Sequence, residues 1–231
     1  MEPTNQPNAS RTVPEPTLRR LPLYHRFLKG LAEQGREFVS CTMIAEELGL
    51  DPTQIRKDIE VTGAVGRPKV GYVLTELTAA IEGFLGWNNI NEAFLVGAGS
   101  LGSALLGYSK FEQCGLSIVA AFDADPAKVG QRIHDKMVLP LEKLPNLAQR
   151  MGIKIGIITV PAAGAQKVAD LMVEGGVRAI WNFAPLRLRV PENVIVRNED
   201  LYCSLAALSQ KLAQALEQEK KNEGEVIHAA R

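Results

Sequence analysis

Large apolar side chains recur three and four residues apart between residues 18 and 87, gather into short unbroken runs between 93 and 196, and return to helical spacing from 201 onward. In the first stretch Leu21, Tyr24, Phe27, Leu28 and Leu31 predict one amphipathic helix from Leu18 to about Gly35. A shorter helix follows Ser40 and Thr42, carries Ile44, Ala45 and Leu48, and stops at Gly49. Asp51-Pro52-Thr53-Gln54 then restarts a helix with an N-cap, a proline at the first helical position and a Gln three residues after the cap. That helix runs to about Val61 with Ile55 and Ile59 inward, so the pair reads as a helix-turn-helix. Gly63 to Tyr72 predicts a small hairpin, a wing with Gly66-Arg67-Pro68-Lys69 at its tip. Leu77, Ile81, Phe84 and Leu85 mark another helix from Leu74 to about Trp87, and Asn88-Asn89-Ile90-Asn91 ends it.

In the second stretch, apolar runs at Ala93–Val96, Leu116–Phe122, Ile153–Val160, Val177–Phe183 and Asn193–Val196, with a weaker one at Met137–Leu139, predict strands, of which Ile153–Val160 is too apolar to have a wet face. A helix fits between Pro161 and Gly175-Gly176, and Asp125-Pro126 reads as an N-cap with proline at the first helical position. Alternating strands and helices specify a doubly wound parallel sheet. The expected fold class is therefore α/β: an N-terminal winged helix-turn-helix domain (18–87), a Rossmann domain (88–200) and a C-terminal helix (201–231). Residues 1–17, poor in large apolar side chains, are expected to form a flexible tail. Leu205, Leu208, Leu212 and Leu216 recur along the last helix after a sheet domain is already complete. That helix either packs on another subunit or across the domain boundary, or is a plain surface helix.

Composition narrows the class. The 231 residues carry zero net charge and 46% hydrophobic content, so affinity for nucleic acid would have to come from a local patch. Cys41, Cys114 and Cys203 are odd in number and widely spaced, which fits a reducing cytoplasm. The histidines, at 25, 134 and 228, form no evident metal cluster, and no segment reads as a signal peptide or a membrane span.

The chemistry centres on Gly97-Ala98-Gly99-Ser100-Leu101-Gly102, a G-x-G-x-x-G turn between a strand and a helix. Its first glycine permits the turn, its second lets backbone approach a pyrophosphate, and its third lets helix pack on strand. Asp123 ends the next strand about 20 residues on, where a carboxylate bonds the adenosine ribose hydroxyls of NAD. No Arg follows it to neutralise a 2′-phosphate and Asp125 would repel one, so NADP is disfavoured. On the recognition helix, Thr53, Gln54, Arg56 and Lys57 face outward, and Arg67 and Lys69 sit on the wing tip. Gln can read adenine, Arg guanine, and Thr or Lys phosphates, although a solvated helix face has the same composition.

The words Arg20-Leu21-Pro22-Leu23-Tyr24 with Arg26-Phe27-Leu28, Ile55-Arg56-Lys57-Asp58, Gly97 to Gly102 with Tyr108, Phe122-Asp123 with Lys128-Val129-Gly130, Thr159-Val160-Pro161-Ala162, Asn182-Phe183-Ala184-Pro185 and Asp200-Leu201 stand in this order over about residues 18 to 215. In these words the chain resembles the Rex family of bacterial redox-sensing transcriptional repressors. The resemblance implies a homodimer that binds a palindromic double-stranded operator and lets go when NADH rises relative to NAD⁺. It also implies cofactor contacts at Tyr108, Thr159, Val160, Pro161 and Asn182, and coupling between cofactor and DNA through Arg26, Tyr108 and Asp200. Where many members carry an aromatic pair after Arg-Lys-Asp, this chain has Glu60-Val61-Thr62.

A rival class is an NAD-dependent dehydrogenase with an N-terminal helical domain. It needs a substrate domain and an acid or base beside the nicotinamide. Only the last helix remains unassigned, and His134 falls on a poorly defined turn. The expectation is a regulator and not an enzyme.

Overall fold

The computed structural model describes residues 13–229, with side chains described to residue 218 except that of Leu201. The chain divides into two compact units. One runs to Ile90 and takes in Glu112–Gly115; the other holds Asn91–Phe111 and Leu116 onward.

In the first unit the order is α1 (Glu15–Glu33), β1 (Phe38–Val39), α2 (Cys41–Leu48), α3 (Pro52–Glu60), β2 (Tyr72–Val73) and α4 (Leu74–Phe84). Helix α1 begins three residues before the expected position, and Thr17, placed in the tail by the sequence, is buried; residues 1–12 of that tail lie outside the described residues. Ser40 caps α2 by accepting from the Met43 N–H, and Gly49 closes it in the left-handed conformation. Asp51 caps α3 through the N–H groups of Thr53 and Gln54. One buried cluster joins Leu21, Tyr24 and Leu28 of α1 to Ile44, Ile55, Ile59, Leu77 and Ile81.

The wing differs from the expected hairpin. Its two arms share a single bridge, Arg67 to Gly71, and Tyr72–Val73 pairs instead with Phe38–Val39, a strand too short to read from sequence. This makes Gly71 obligatory, because at φ +96 a Cβ would collide with the Val39 carbonyl.

From Asn91 on, the order is β3 (Asn91–Val96), α5 (Ser100–Leu106), α6 (Lys110–Gln113, whose second half is assigned to the first unit), β4 (Leu116–Asp123), β5 (Arg132–Ile133), β6 (Lys136–Pro140), α7 (Leu144–Met151), β7 (Ile155–Ile158), α8 (Ala162–Glu174), β8 (Ala179–Asn182), β9 (Ile195–Asn198) and α9 (Leu201–Ala229). The sheet order is β5-β6-β4-β3-β7-β8-β9, parallel except for β5 against β6. The strand order reverses between β3 and β7, which is where such sheets open a ligand crevice. Alternate residues feed opposite faces: Phe94, Val96 and Ile158 pack with α7 and α8, while Ala93, Leu95 and Ile157 pack with Leu105 and Leu106 of α5.

Asp125-Pro126 does not start a helix. Asp125 accepts from the Ala127 N–H, but Gly130 at φ +87 turns the chain back after one turn and leads into the β5–β6 hairpin. That hairpin turns at His134 and Asp135, both with positive φ, the geometry of a two-residue primed turn.

Candidate nucleotide and DNA sites

The glycine turn is built as its spacing requires. Gly97, at φ +106, would place a Cβ 2.8 Å from the Thr159 carbonyl carbon, and a Cβ at Gly102 would collide with the Gly97 carbonyl. At Gly99 a Cβ would meet nothing within 4 Å, so the second glycine faces open space where a phosphate can approach. The first α5 bond runs from the Ser103 N–H to the Gly99 carbonyl, leaving the preceding N–H groups for an anion. Thr159 pins the turn from β7: its hydroxyl lies 3.0 Å from the Val96 carbonyl oxygen and 2.8 Å from that of Gly97.

A cavity of about 610 Å³ lies along this turn, lined by Gly97, Gly99, Asp123, Thr159, Val160 and Pro161 together with Lys128, Leu141, Gly164 and Lys167. Ala98 and Gly102 are buried behind it, Ser100 and Leu101 are exposed on the first turn of α5, and Tyr108 is half exposed outside its lining. The Asp123 carboxylate accepts from the Ala98 N–H at 2.8 Å, the Asp125 N–H at 2.9 Å and the Lys128 ammonium at 3.0 Å. Burial by itself would raise its pKa, but the Asp125 N–H, Lys128 and the Ala98 N–H together hold it below the ordinary value. With three of its roughly four lone-pair positions used, it retains room for a ribose hydroxyl. These residues fit a dinucleotide.

Lys128 amends the argument from charge, since the cation expected to be missing beside Asp123 comes from five residues along the chain. Asn182, expected at the cofactor, is fully buried; its amide donates to the carbonyls of Ala184 and Leu186 and to the Asn198 side chain, and its own carbonyl accepts from the Ala184 N–H. It holds the turn after β8.

On the first unit a cleft of about 510 Å³ is lined by Ser40, Cys41 and Thr42 at the start of α2, Arg56 of α3 and the wing from Gly66 to Tyr72. Arg56, Arg67 and Lys69 therefore converge, whereas Lys57 and Thr53 are exposed on α3 outside this lining. The Gln54 amide donates to Asp58 at 2.9 Å and the side chain is half buried.

Asp58 itself is a residue the sequence did not single out for a role. It is 1% exposed and accepts from Thr17 at 2.9 Å, Arg20 at 2.6 and 2.9 Å and Tyr24 at 2.7 Å, so it bolts α3 to α1. Burial pushes its pKa up, yet the hydrogen bonds from Arg20, Tyr24, Gln54 and Thr17 prevail and lower it to about 2. An Asp three residues after Ile55 falls on the buried face of α3, and that spacing, with its place in the word Ile55-Arg56-Lys57-Asp58, is its trace in the sequence.

Arg26 is exposed on α1 and lines a groove with Glu46 and Glu47 of α2. Asp200 caps α9, accepting from the N–H groups of Tyr202 and Cys203 at 2.9 and 3.1 Å. Arg26 stands on the first unit and Asp200 on the second.

Two family models match: a putative DNA-binding protein N-terminus over residues 12–59 and a CoA binding domain over 88–186. The chain is 46% identical over 201 residues to the redox-sensing transcriptional repressor Rex of Treponema denticola, covering 87% of this chain and 96% of that one. It is 45% identical to the Rex of Bacteroides fragilis, covering 88% and 92%. Among solved structures it resembles RSP, a Rex-family repressor, at 34% identity, with a TM-score of 0.81 over 91% of this chain and 99% of that one. The complex of RSP with β-NAD⁺ and operator DNA gives a TM-score of 0.84 at 35% identity, covering 93% and 99%. A winged-helix unit, a Rossmann unit with a glycine-turn cavity and this identity along most of the chain place the protein in the Rex family of redox-sensing transcriptional repressors.

Proposed function

We propose that this chain binds palindromic operator DNA as a homodimer, holds NAD⁺ or NADH in its Rossmann unit, and releases the DNA when NADH rises relative to NAD⁺. The observation that carries this reading is the pairing, in one chain, of a cavity along the glycine turn and Asp123 with a cleft where Arg56, Arg67 and Lys69 meet. It is supported by the crystal structures of RSP with β-NAD⁺ and operator DNA and with β-NADH. The Gly97–Gly102 turn receives the pyrophosphate, Asp123 the adenosine ribose, and Thr159, Val160 and Pro161 flank the path toward the nicotinamide. Arg56, Lys57, Arg67 and Lys69, with Thr53, supply the phosphate and base contacts, while Gln54 acts by holding Asp58. Tyr108, Arg26 and Asp200 couple the two activities across the dimer. Such a repressor works in the cytoplasm, where bacterial operators are; no described helix is long and apolar enough to cross a membrane.

The test is to measure NADH affinity with and without saturating operator. Linkage requires operator to weaken NADH binding by the factor with which NADH weakens operator binding. Equal NADH affinities in the two conditions would defeat the gating.

A further inference from the structure

The face of the sheet opposite α7 and α8 carries four aromatic rings in sequence of contact. Tyr108 meets Phe111 edge-on with centroids 4.9 Å apart, Phe111 meets Trp181 at 5.6 Å, and Trp181 lies 4.8 Å from Phe183. The row starts just past α5, the helix that opens at the glycine turn, and ends just past β8, the neighbour of β7. From Trp181 the contact continues in polar form. The indole N–H donates to the Glu199 carboxylate at 3.1 Å, and the Glu199 N–H donates to the Asn182 carbonyl at 2.8 Å. The next residue is Asp200, the cap of α9.

We propose that Trp181 is a positioning residue for α9: it meets Tyr108 through Phe111 and sets the start of α9 through its hydrogen bond to Glu199. The proposal rests on the reading that Tyr108 reports the cofactor. Edge-to-face rings have preferred orientations, and a close-packed layer shifts between discrete arrangements rather than deforming smoothly. A turn of the Tyr108 ring is therefore passed to Phe111 and to the indole. The indole has one donor and no acceptor, so moving it either keeps or breaks the bond to Glu199. Breaking it removes one of the contacts that hold Glu199, which also pairs with Arg197 and whose backbone leads directly into the α9 cap. A phenylalanine at this position keeps a ring and loses the donor, which separates packing from signalling.

The experiment compares the parent with Trp181→Phe and Glu199→Ala, reading NADH affinity with and without saturating palindromic operator. Both variants are expected to keep NADH affinity without operator within about twofold, while the ratio of the two affinities falls by about fivefold or more, the scale of one hydrogen bond made in only one of two states. The double variant should lose no more than Glu199→Ala alone, because that substitution already removes the indole bond together with the Arg197 pair. A ratio equal to the parent's in either single variant, including one in which NADH affinity drops alike in both conditions, overturns the role of Trp181 and leaves the repressor reading standing. A parent ratio of one overturns both.

Discussion

Asp58 is where a single side chain decides whether a reading surface is held in place. Its carboxylate ties α3, which carries Arg56 and Lys57, to Arg20 and Tyr24 of α1. Asp58→Ala should cost about 3–5 kcal/mol in urea unfolding, because Arg20 loses its partner at a site only 2% exposed on the aspartate side. The depressed pKa sets the acid limb. With the carboxyl lowered from 3.8 to about 2, its contribution is complete above about pH 4 and is lost as pH falls through 2, amounting to about 2 kcal/mol. An unfolding series at pH 5, 4, 3 and 2 should show this loss in the parent and not in the variant. At Asp123 the neighbouring Lys128 ammonium, 3.0 Å away, offsets part of the carboxylate's charge. Asp123→Ala should narrow the preference for NADH over NADPH, and Lys128→Ala should widen it, since the bare carboxylate then repels a 2′-phosphate. Titration of each variant with both cofactors checks the two directions; a preference moved the same way by both would refute the charge argument.

Among elements, the β3–α5 turn is the one whose design is tested by glycines of opposite character. Gly102 is closed in by the Gly97 carbonyl and the Thr159 hydroxyl, whereas Gly99 has open space and a negative φ. Gly102→Ala should therefore lower both stability and NADH affinity. Gly99→Ala should unfold within about 0.5 kcal/mol of the parent, as expected for a surface change, and still weaken NADH binding by fouling the pyrophosphate approach. Thermal melts with NADH titrations separate the two; unimpaired NADH binding by Gly99→Ala would remove the turn from the site. The motif was legible in sequence because its spacing encodes backbone geometry. The wing was legible only as a loop, since its strand partner, Phe38–Val39, lies more than thirty residues earlier and spans two residues.

For the whole molecule, the surface to test is α9. Leu205, Leu208, Leu212 and Leu216 are 59, 64, 57 and 48% exposed, an apolar stripe of the kind that marks interaction surfaces. Replacing Leu208 and Leu212 together by Gln should shift the protein to a monomer in sedimentation. Its affinity for a palindromic operator should fall toward that for a single half-site. A dimer of unchanged stability would show that subunits meet elsewhere.

The sequence by itself determined the helices, the parallel strands, the glycine turn and the resemblance to Rex. Each of these is written in local spacing: three and four for helices, unbroken apolar runs for buried strands, glycines where backbone must bend or be approached. Only the tertiary structure decided what the polar side chains do. Gln54, on the outward face of its helix, bonds Asp58; Asn182 is buried and bonds the carbonyls of Ala184 and Leu186; Lys128 supplies a cation to Asp123; and Trp181, on β8, reaches Glu199 just past β9. A buried polar group must find its hydrogen-bonding partners wherever the fold brings them, and that choice follows distance in space, which one-dimensional spacing does not carry.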